Sequence, residues 1–149
     1  MDYNYEETYE FDLTGKVQFG DLSIDEVHEL FRDGRVASKF IEKHVPLWFD
    51  KLVFVDKTGY DHIDSITDRK FDLKGFTKNG ASYAPSTMLG AGRRIDKVKL
   101  HEHAISIDYI FSDITQFPKL KLRFVRGETL VETFPSGKIG SDQHSKIFG

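Results

Sequence analysis

Acidic and basic side chains between residues 59 and 75 have the types and spacing that metal-ion chemistry needs. Asp72 and Lys74 stand two residues apart, and Asp61 and Asp64 precede them in an adjacent stretch. Mg²⁺ prefers carboxylate oxygens and takes one or two of them together with water and phosphate oxygens. A bound Mg²⁺ lowers the pKa of a water and neutralises charge that develops on a phosphate. The segment therefore predicts hydrolysis of a phosphodiester with Mg²⁺, for which Mn²⁺ could substitute.

Strand alternation decides which of these side chains share a face. In the second of two predicted strands, Asp72 and Lys74 point to one face and their apolar neighbours point to the core. In the first strand, the same alternation sends Ile63 to the core and Asp64 to the face of Asp72. A tight turn between the strands would instead set Asp61 across from Lys74, and one residue of slippage exchanges the two arrangements. Asp61 and Asp64 both remain candidates, and alternation favours Asp64.

The flanking sequence predicts the helices and strands that position this segment. Ser23 and Glu26 form a capping box, after which apolar residues recur at helical spacing up to residue 31 and again over 36–48. Strands are predicted at residues 52–55, 60–66, 69–76, 104–111, 120–125 and 130–134, with the last two paired as a hairpin. A short basic helix is predicted at 93–103.

The order of these elements predicts an α+β fold with a mixed β-sheet flanked by helices, built as a single domain over residues 1–149. The composition of residues 1–12 predicts an acidic, loosely ordered segment, and that of residues 135–149 predicts a polar tail. Residues 77–92 are rich in Gly, Ser, Thr and Asn and read as a long loop, which in a compact domain is usually functional.

Composition narrows the class of protein. The chain of 149 residues has no cysteine, so disulfides, thiolate metal sites and cysteine nucleophiles are excluded, which suits the reducing cytoplasm. No apolar run is long enough to span a membrane, and the acidic first residues do not resemble a secretion signal. We therefore expect a cytoplasmic protein without a membrane partner.

Positive charge is concentrated in one part of a chain whose formal net charge is −3. Residues 69–99 contain eight Lys or Arg and two Asp, a local charge of +6. Binding follows the local field, so this region predicts contact with a phosphate backbone. The candidate DNA-binding residues of its loop and helix are Lys78, Asn79, Ser82, Ser86, Arg93, Arg94 and Lys97. His101 and His103 could form a zinc pair, although no third ligand is evident and a solvated segment is the simpler interpretation.

The spacing of the acids and the lysine resembles the pattern of the PD-(D/E)xK nuclease superfamily, the fold of many restriction endonucleases. That pattern has an acid near the start of one strand, matched by Asp61 or Asp64, and Asp/Glu-x-Lys on a later strand, matched by Asp72 and Lys74. The resemblance covers residues 35–125. It implies a restriction-endonuclease-like core, metal-dependent cleavage of DNA, and a further metal ligand in the preceding helix, where Glu42 stands.

The sequence thus predicts a Mg²⁺-dependent endonuclease that acts on double-stranded DNA. One such site cuts one strand, so cleavage of both strands would require a homodimer whose twofold axis matches a palindromic site. The alternative is a non-catalytic nucleic-acid-binding or interaction domain with the same fold.

Overall fold

A mixed six-stranded sheet forms the centre of the molecule in the computed structural model, which describes residues 1–149. Its strands are β1 (Thr8–Asp12), β2 (Leu52–Lys57), β3 (Tyr60–Asp64), β4 (Lys70–Phe76), β6 (Asp108–Asp113) and β7 (Lys119–Arg126). The strands lie in the order β1-β7-β6-β4-β3-β2. The central neighbours β4 and β6 run parallel, and all other neighbours run antiparallel. A separate ribbon pairs β5 (Ala81–Ser82) with β8 (Lys138–Ile139).

Helices cover both faces of this sheet, which confirms the predicted α+β fold with a mixed sheet. They are α1 (Ile24–Leu30), α2 (Gly34–Trp48), α3 (Lys97–Ser106), α4 (Gly127–Thr133) and α5 (His144–Phe148). The capping box at Ser23 and Glu26 begins α1 as predicted, and Pro46 lies in the last turn of α2. None of the helices has the length and apolar composition that a membrane crossing requires.

Both faces of β4 are buried, and this arrangement determines the surroundings of the candidate site. Phe71 and Leu73 pack into one core with α2, as predicted. Phe76 packs into a second core, on the opposite face, with residues of α3 and α4. Asp72 and Lys74 share that second face, where their side chains are only 14 % and 17 % exposed. The predicted sharing of a face by Asp72 and Lys74 is therefore confirmed, and helices cover that face.

The residues after β7 form a helix where a strand was predicted. Leu130, Val131 and Phe134 are buried, and their spacing matches one face of α4. The start of α4 packs closely against the last turn of α3, since a Cβ at Gly127 would lie 1.7 Å from the backbone oxygen of Ala104. The alternation of apolar residues that suggested a returning strand was too short to distinguish the two structures.

Both ends of the chain are more closely packed than the sequence suggested. Within the N-terminal segment, the ring of Tyr3 stacks on Phe124, 4.8 Å between centroids, and β1 forms one edge of the sheet. In the predicted polar tail, Ile147 and Phe148 are buried in the second core. The basic helix is α3 and begins later than predicted, because Asp96 caps the backbone N–H groups of its first turn.

Candidate active site

Asp72 and Lys74 form an ion pair in a largely buried setting on β4. The ammonium of Lys74 lies 3.1 Å from the Asp72 carboxylate and also donates a hydrogen bond to the backbone oxygen of Ala84, at 3.2 Å. Ala84 belongs to the predicted loop 77–92, whose central residues Tyr83 and Ala84 are buried. The two residues singled out from the sequence thus lie together, with a defined orientation of the lysine.

Asp61 on β3 faces Asp72 across a gap in the sheet. Only His62 with Phe71 and Ile63 with Lys70 are paired between β3 and β4, and continuing that register sets Asp61 opposite Asp72. The predicted turn was shorter, and it would have set Asp61 opposite Lys74. The strands part next to this point, and the Asp61 carboxylate accepts a hydrogen bond from the backbone N–H of Leu73 at 2.9 Å.

Asp64 lies on the opposite face from Asp72, so the prediction from alternation that the two share a face is wrong. It is 2 % exposed, and its two oxygens accept hydrogen bonds from the Tyr3 hydroxyl and from the backbone N–H groups of Ile66 and Thr67. Burial raises the pKa of this carboxyl group, but these hydrogen bonds outweigh burial and leave the pKa below its ordinary value. Asp64 therefore holds the turn after β3 and the N-terminal segment, and no oxygen of it faces the Asp61–Asp72 gap.

Glu42 on α2 completes a group of carboxylates near this gap. The residue is 6 % exposed, and its Oε2 atom is buried without a hydrogen-bond partner, 3.5 Å from the ammonium of Lys39. The adjacent β3 is tied to the same helix, because the buried ring of His62 bonds through Nε2 to the backbone oxygen of Glu42 at 2.8 Å. Glu42, whose role is implied only by the family resemblance, lies close enough to Asp61 for that charge to raise its pKa.

Two of these carboxyl groups hold protons more tightly than usual. Burial raises the pKa of Asp72 to about 7; Lys74 opposes the rise, and the nearby Asp61 adds to it. Burial and then Asp61 also raise the pKa of Glu42, against an opposing effect of Lys39. Perturbed carboxyl groups that lie together are typical of functional sites. Asp61 affects both, and each would ionise more readily if a cation were bound beside it.

The residues present fit a single divalent cation. No three of the chain's acidic and imidazole side chains converge closely enough to form a complete metal cage. Mg²⁺ does not need such a cage, because it keeps several waters and binds one or two carboxylates. Asp61 and Asp72 would supply that pair, and Oε2 of Glu42, which has Lys39 at 3.5 Å but no hydrogen bond, would accept a hydrogen bond from a water of the ion.

Two further polar atoms near Asp72 and Lys74 are buried without partners. Nε2 of His103, on α3, is one of them, and the ring packs close to Gly59, where a Cβ would lie 3.3 Å from it. Burial, and then Lys74, lower the pKa of His103. The hydroxyl of Tyr109 is the other, and Tyr109 is the β6 partner of Asp72. No sequence signal points to Tyr109, because the β4–β6 pairing joins segments separated by a loop and a helix.

The predicted DNA-binding residues divide into exposed and structural groups. Lys78 and Asn79 are exposed after β4, in a groove that Arg32 and Arg35 also line. Arg94 and Lys97 are exposed at the start of α3. Arg93 and Ser86 are exposed too, but Arg93, the backbone of Ser86 and the half-buried Ser82 also take part in internal contacts.

Those internal contacts hold the loop in place. The Ser82 hydroxyl donates to the backbone oxygen of Gly137 at 3.0 Å. Arg93 donates to the backbone oxygens of Ser86 and Leu89 at 2.8 and 3.3 Å. Ser82 and Arg93 therefore fold the loop, so a substitution at either position would alter the loop as well as any contact with DNA.

No protein-family model matches the chain, and comparison with the curated proteins and with the solved structures also gives no match.

Proposed function

We propose that this chain is a Mg²⁺-dependent endonuclease that hydrolyses phosphodiester bonds of double-stranded DNA. The observation that supports the proposal most directly is the opposition of Asp61 and Asp72 across the β3–β4 gap, with Lys74 beside Asp72. Two carboxylates and a lysine are the side chains that metal-assisted attack of water on a phosphate uses. A chain without cysteine suits the reducing cytoplasm, where the enzyme would act.

Each residue has a role that follows from its position. Asp61 and Asp72 would hold the ion, which when bound lowers the pKa of a water and neutralises charge on the phosphate. Lys74 would orient the attacking water and stabilise negative charge on the phosphate oxygens, because its ammonium already lies next to Asp72. Glu42 would accept a hydrogen bond from a water in the site through its unpartnered oxygen.

The path of the DNA follows from the exposed basic residues. Lys78 and Asn79 extend from the end of β4, the strand of Asp72, and Arg94 and Lys97 lie at the start of α3. Backbone contacts of this kind position a duplex without reading its sequence. Cutting both strands would require two copies of the chain, so we extend the proposal to a homodimer on DNA.

A second candidate function is a non-catalytic nucleic-acid-binding domain. It is favoured by the fact that Lys74 and one oxygen of Asp61 already have partners within the chain, as they would in a purely structural arrangement. Under this candidate, the chain would retain DNA without cutting it.

Incubation of supercoiled plasmid with the protein and Mg²⁺ separates the two functions. We expect nicked or linear product with Mg²⁺ or Mn²⁺ and none with EDTA. The Asp72→Asn variant serves as a matched control that removes one charge with little change of shape, and it should be inactive. Intact plasmid under every metal condition, with binding retained in a gel-shift assay, would favour the binding domain.

A further inference from the structure

Lys39 places a positive charge beside Glu42, one of the acidic side chains of the candidate site. Its ammonium lies 3.5 Å from Oε2 of Glu42 and 3.5 Å from a carboxylate oxygen of Asp56. Lys39 and Glu42 are three residues apart on α2, so they occupy the same face of the helix. Asp56 comes from β2, and the ammonium therefore bridges a helix and a strand at the mouth of the site.

The backbone of β2 turns Asp56 toward this bridge. The register of β2 with β3 shifts between Phe54 and Lys57, which marks a bulge. Asp56 lies in that bulge with a φ of 46°, a left-handed conformation that is uncommon for residues other than glycine. Bulges of this kind often re-aim one side chain next to a functional site.

The charges around the site balance with one divalent cation. Four carboxylates face or border it, those of Glu42, Asp56, Asp61 and Asp72, and two ammonium groups oppose them, those of Lys39 and Lys74. With all six ionised, the formal charge is −2. One Mg²⁺ neutralises that charge, and two would leave an excess of +2.

We propose that this site binds a single divalent cation because Lys39 occupies, as a tethered positive charge, the place where a second cation would bind between Glu42 and Asp56. The inference rests on the metal-dependent function proposed above and specifies its cofactor stoichiometry. A Lys ammonium is a compact point charge with flexible reach, so it can serve as a local counter-ion without fixed coordination geometry.

The state of Glu42 distinguishes this arrangement from an ordinary surface ion pair. Asp56 and Lys39 are mostly exposed, and an exposed pair between them alone would contribute little. Oε2 of Glu42, however, is buried and lacks a hydrogen bond, and 3.5 Å leaves it incompletely satisfied by Lys39. Lys39 is the ion-pair partner of this oxygen, so removal of the ammonium would leave a buried carboxylate without a counter-ion.

The test counts Mn²⁺ ions bound per chain by isothermal titration calorimetry, confirmed by electron paramagnetic resonance of free Mn²⁺. We expect one ion for the wild-type protein and two for Lys39→Ala, since that variant exposes Glu42 and Asp56 to a second ion. The double variant Lys39→Ala, Asp56→Asn should return to one ion. Lys43→Ala is the matched control, because Lys43 lies on the same helix but packs over the Phe54 ring, and it should bind one ion.

The outcomes separate this inference from the proposed function. Two ions on the wild-type chain, or one ion on a folded Lys39→Ala variant, would overturn the role of Lys39 and leave metal-dependent cleavage intact. No Mn²⁺ on the wild-type chain at millimolar concentration would overturn both. Circular dichroism of each variant establishes that the chain is folded, so a changed ion count reports on the site.

Discussion

The carboxylate of Asp61 takes the place of a main-chain partner for Leu73, whose backbone N–H it binds at 2.9 Å. This contact bridges the point where β3 and β4 part, and the Asp61 carboxyl group lies close enough to Asp72 to raise its pKa. A single side chain thereby keeps the gap open and supplies a candidate ligand within it. The structural and chemical roles of Asp61 can be separated by choice of substitution.

For Asp61, we expect the Asn and Ala variants to differ in free energy of unfolding and to lose metal binding and cleavage alike. Asn keeps an oxygen for the Leu73 N–H and removes the charge, so its free energy of unfolding should stay within about 1 kcal/mol of wild type. Ala leaves that N–H without a partner and should lower the free energy of unfolding by about 1–3 kcal/mol. Both should lose Mn²⁺ binding and plasmid cleavage. Urea denaturation and calorimetry measure the two effects, and wild-type cleavage by Asp61→Asn would remove Asp61 from the site.

For Asp72, we expect a characteristic dependence of stability on pH in the absence of metal. Burial and the nearby Asp61 raise the pKa of this group from its ordinary value of 3.8 to about 7, against the opposing effect of Lys74. Between pH 4 and pH 7, the folded protein therefore keeps a proton on Asp72 that the unfolded chain has released. The free energy of unfolding falls as pH rises through this range, from about 4 to about 7. Asp72→Asn should remove this decline, so the stability of the variant relative to wild type should increase from pH 5 to pH 8. Urea midpoints at pH 5 and pH 8 measure the difference.

Metal provides the complementary check on Asp72. A divalent cation favours the ionised carboxylate, so Mg²⁺ should raise the melting temperature of the wild-type protein more at pH 8 than at pH 5. The variant Asp72→Asn should show little response to Mg²⁺ at either pH. An equal response of the two proteins would mean that the ion binds elsewhere.

Unlike Asp72, Asp64 should affect the stability of the protein and have no effect on cleavage or metal binding. Asp64→Ala removes the acceptor of three hydrogen bonds from a buried position and should lower the free energy of unfolding by about 2–4 kcal/mol. Folded Asp64→Ala should nevertheless cleave plasmid and bind Mn²⁺ like wild type, measured at a temperature well below its melting point. Tyr3→Phe removes one of the three hydrogen bonds and should lower the free energy of unfolding by less. Comparison of the two variants then shows how much of the loss comes from the Tyr3 hydrogen bond. Lost Mn²⁺ binding by folded Asp64→Ala would return Asp64 to the candidate ligands.

The exposed bases at the start of α3 should contribute to DNA affinity through counterion release. Arg94→Ala and Lys97→Ala should each weaken binding and lower the slope of log affinity against log salt by about 0.9. Lys121→Ala is the control, because Lys121 lies on β7 beside Glu10, on another part of the surface. Fluorescence anisotropy over a range of NaCl concentrations gives the slopes. Slopes equal to that of Lys121→Ala would exclude this segment from the interface.

Local sequence predicted most of the elements around the site and the face that Asp72 and Lys74 share. The capping box predicted the start of α1, and alternation on β4 correctly separated Asp72 and Lys74 from Phe71 and Leu73. These features depend on residues close together in the chain. The strand over 130–134 was wrong for a related reason, since too few residues were available to distinguish a period of 2 from a period of 3.6.

The choice between Asp61 and Asp64 could not be predicted because it depends on distant partners. His62 and Asp64 point into the core although both are polar, and Ile63 does not. Burial of His62 is compensated by the backbone oxygen of Glu42, 20 residues away, and burial of Asp64 by the Tyr3 hydroxyl, 61 residues away. Alternation assumes that apolar residues face inward, and such hydrogen bonds overrule that assumption.

The edge pairing of β1 with β7 has a consequence for how quickly the chain reaches its native state. Thr8 pairs with Arg123, so this part of the sheet joins segments more than a hundred residues apart, whereas Val53 pairs with Ile63 after a short turn. Pairings between distant segments carry a large loop-closure entropy and slow folding, so the chain should fold in the range of milliseconds to seconds. The hairpins that carry Asp61 and Asp72 can form early, from local contacts. Tyr3, which must close over Asp64 from the far end of the chain, should become ordered among the last, at the rate-limiting step of assembly.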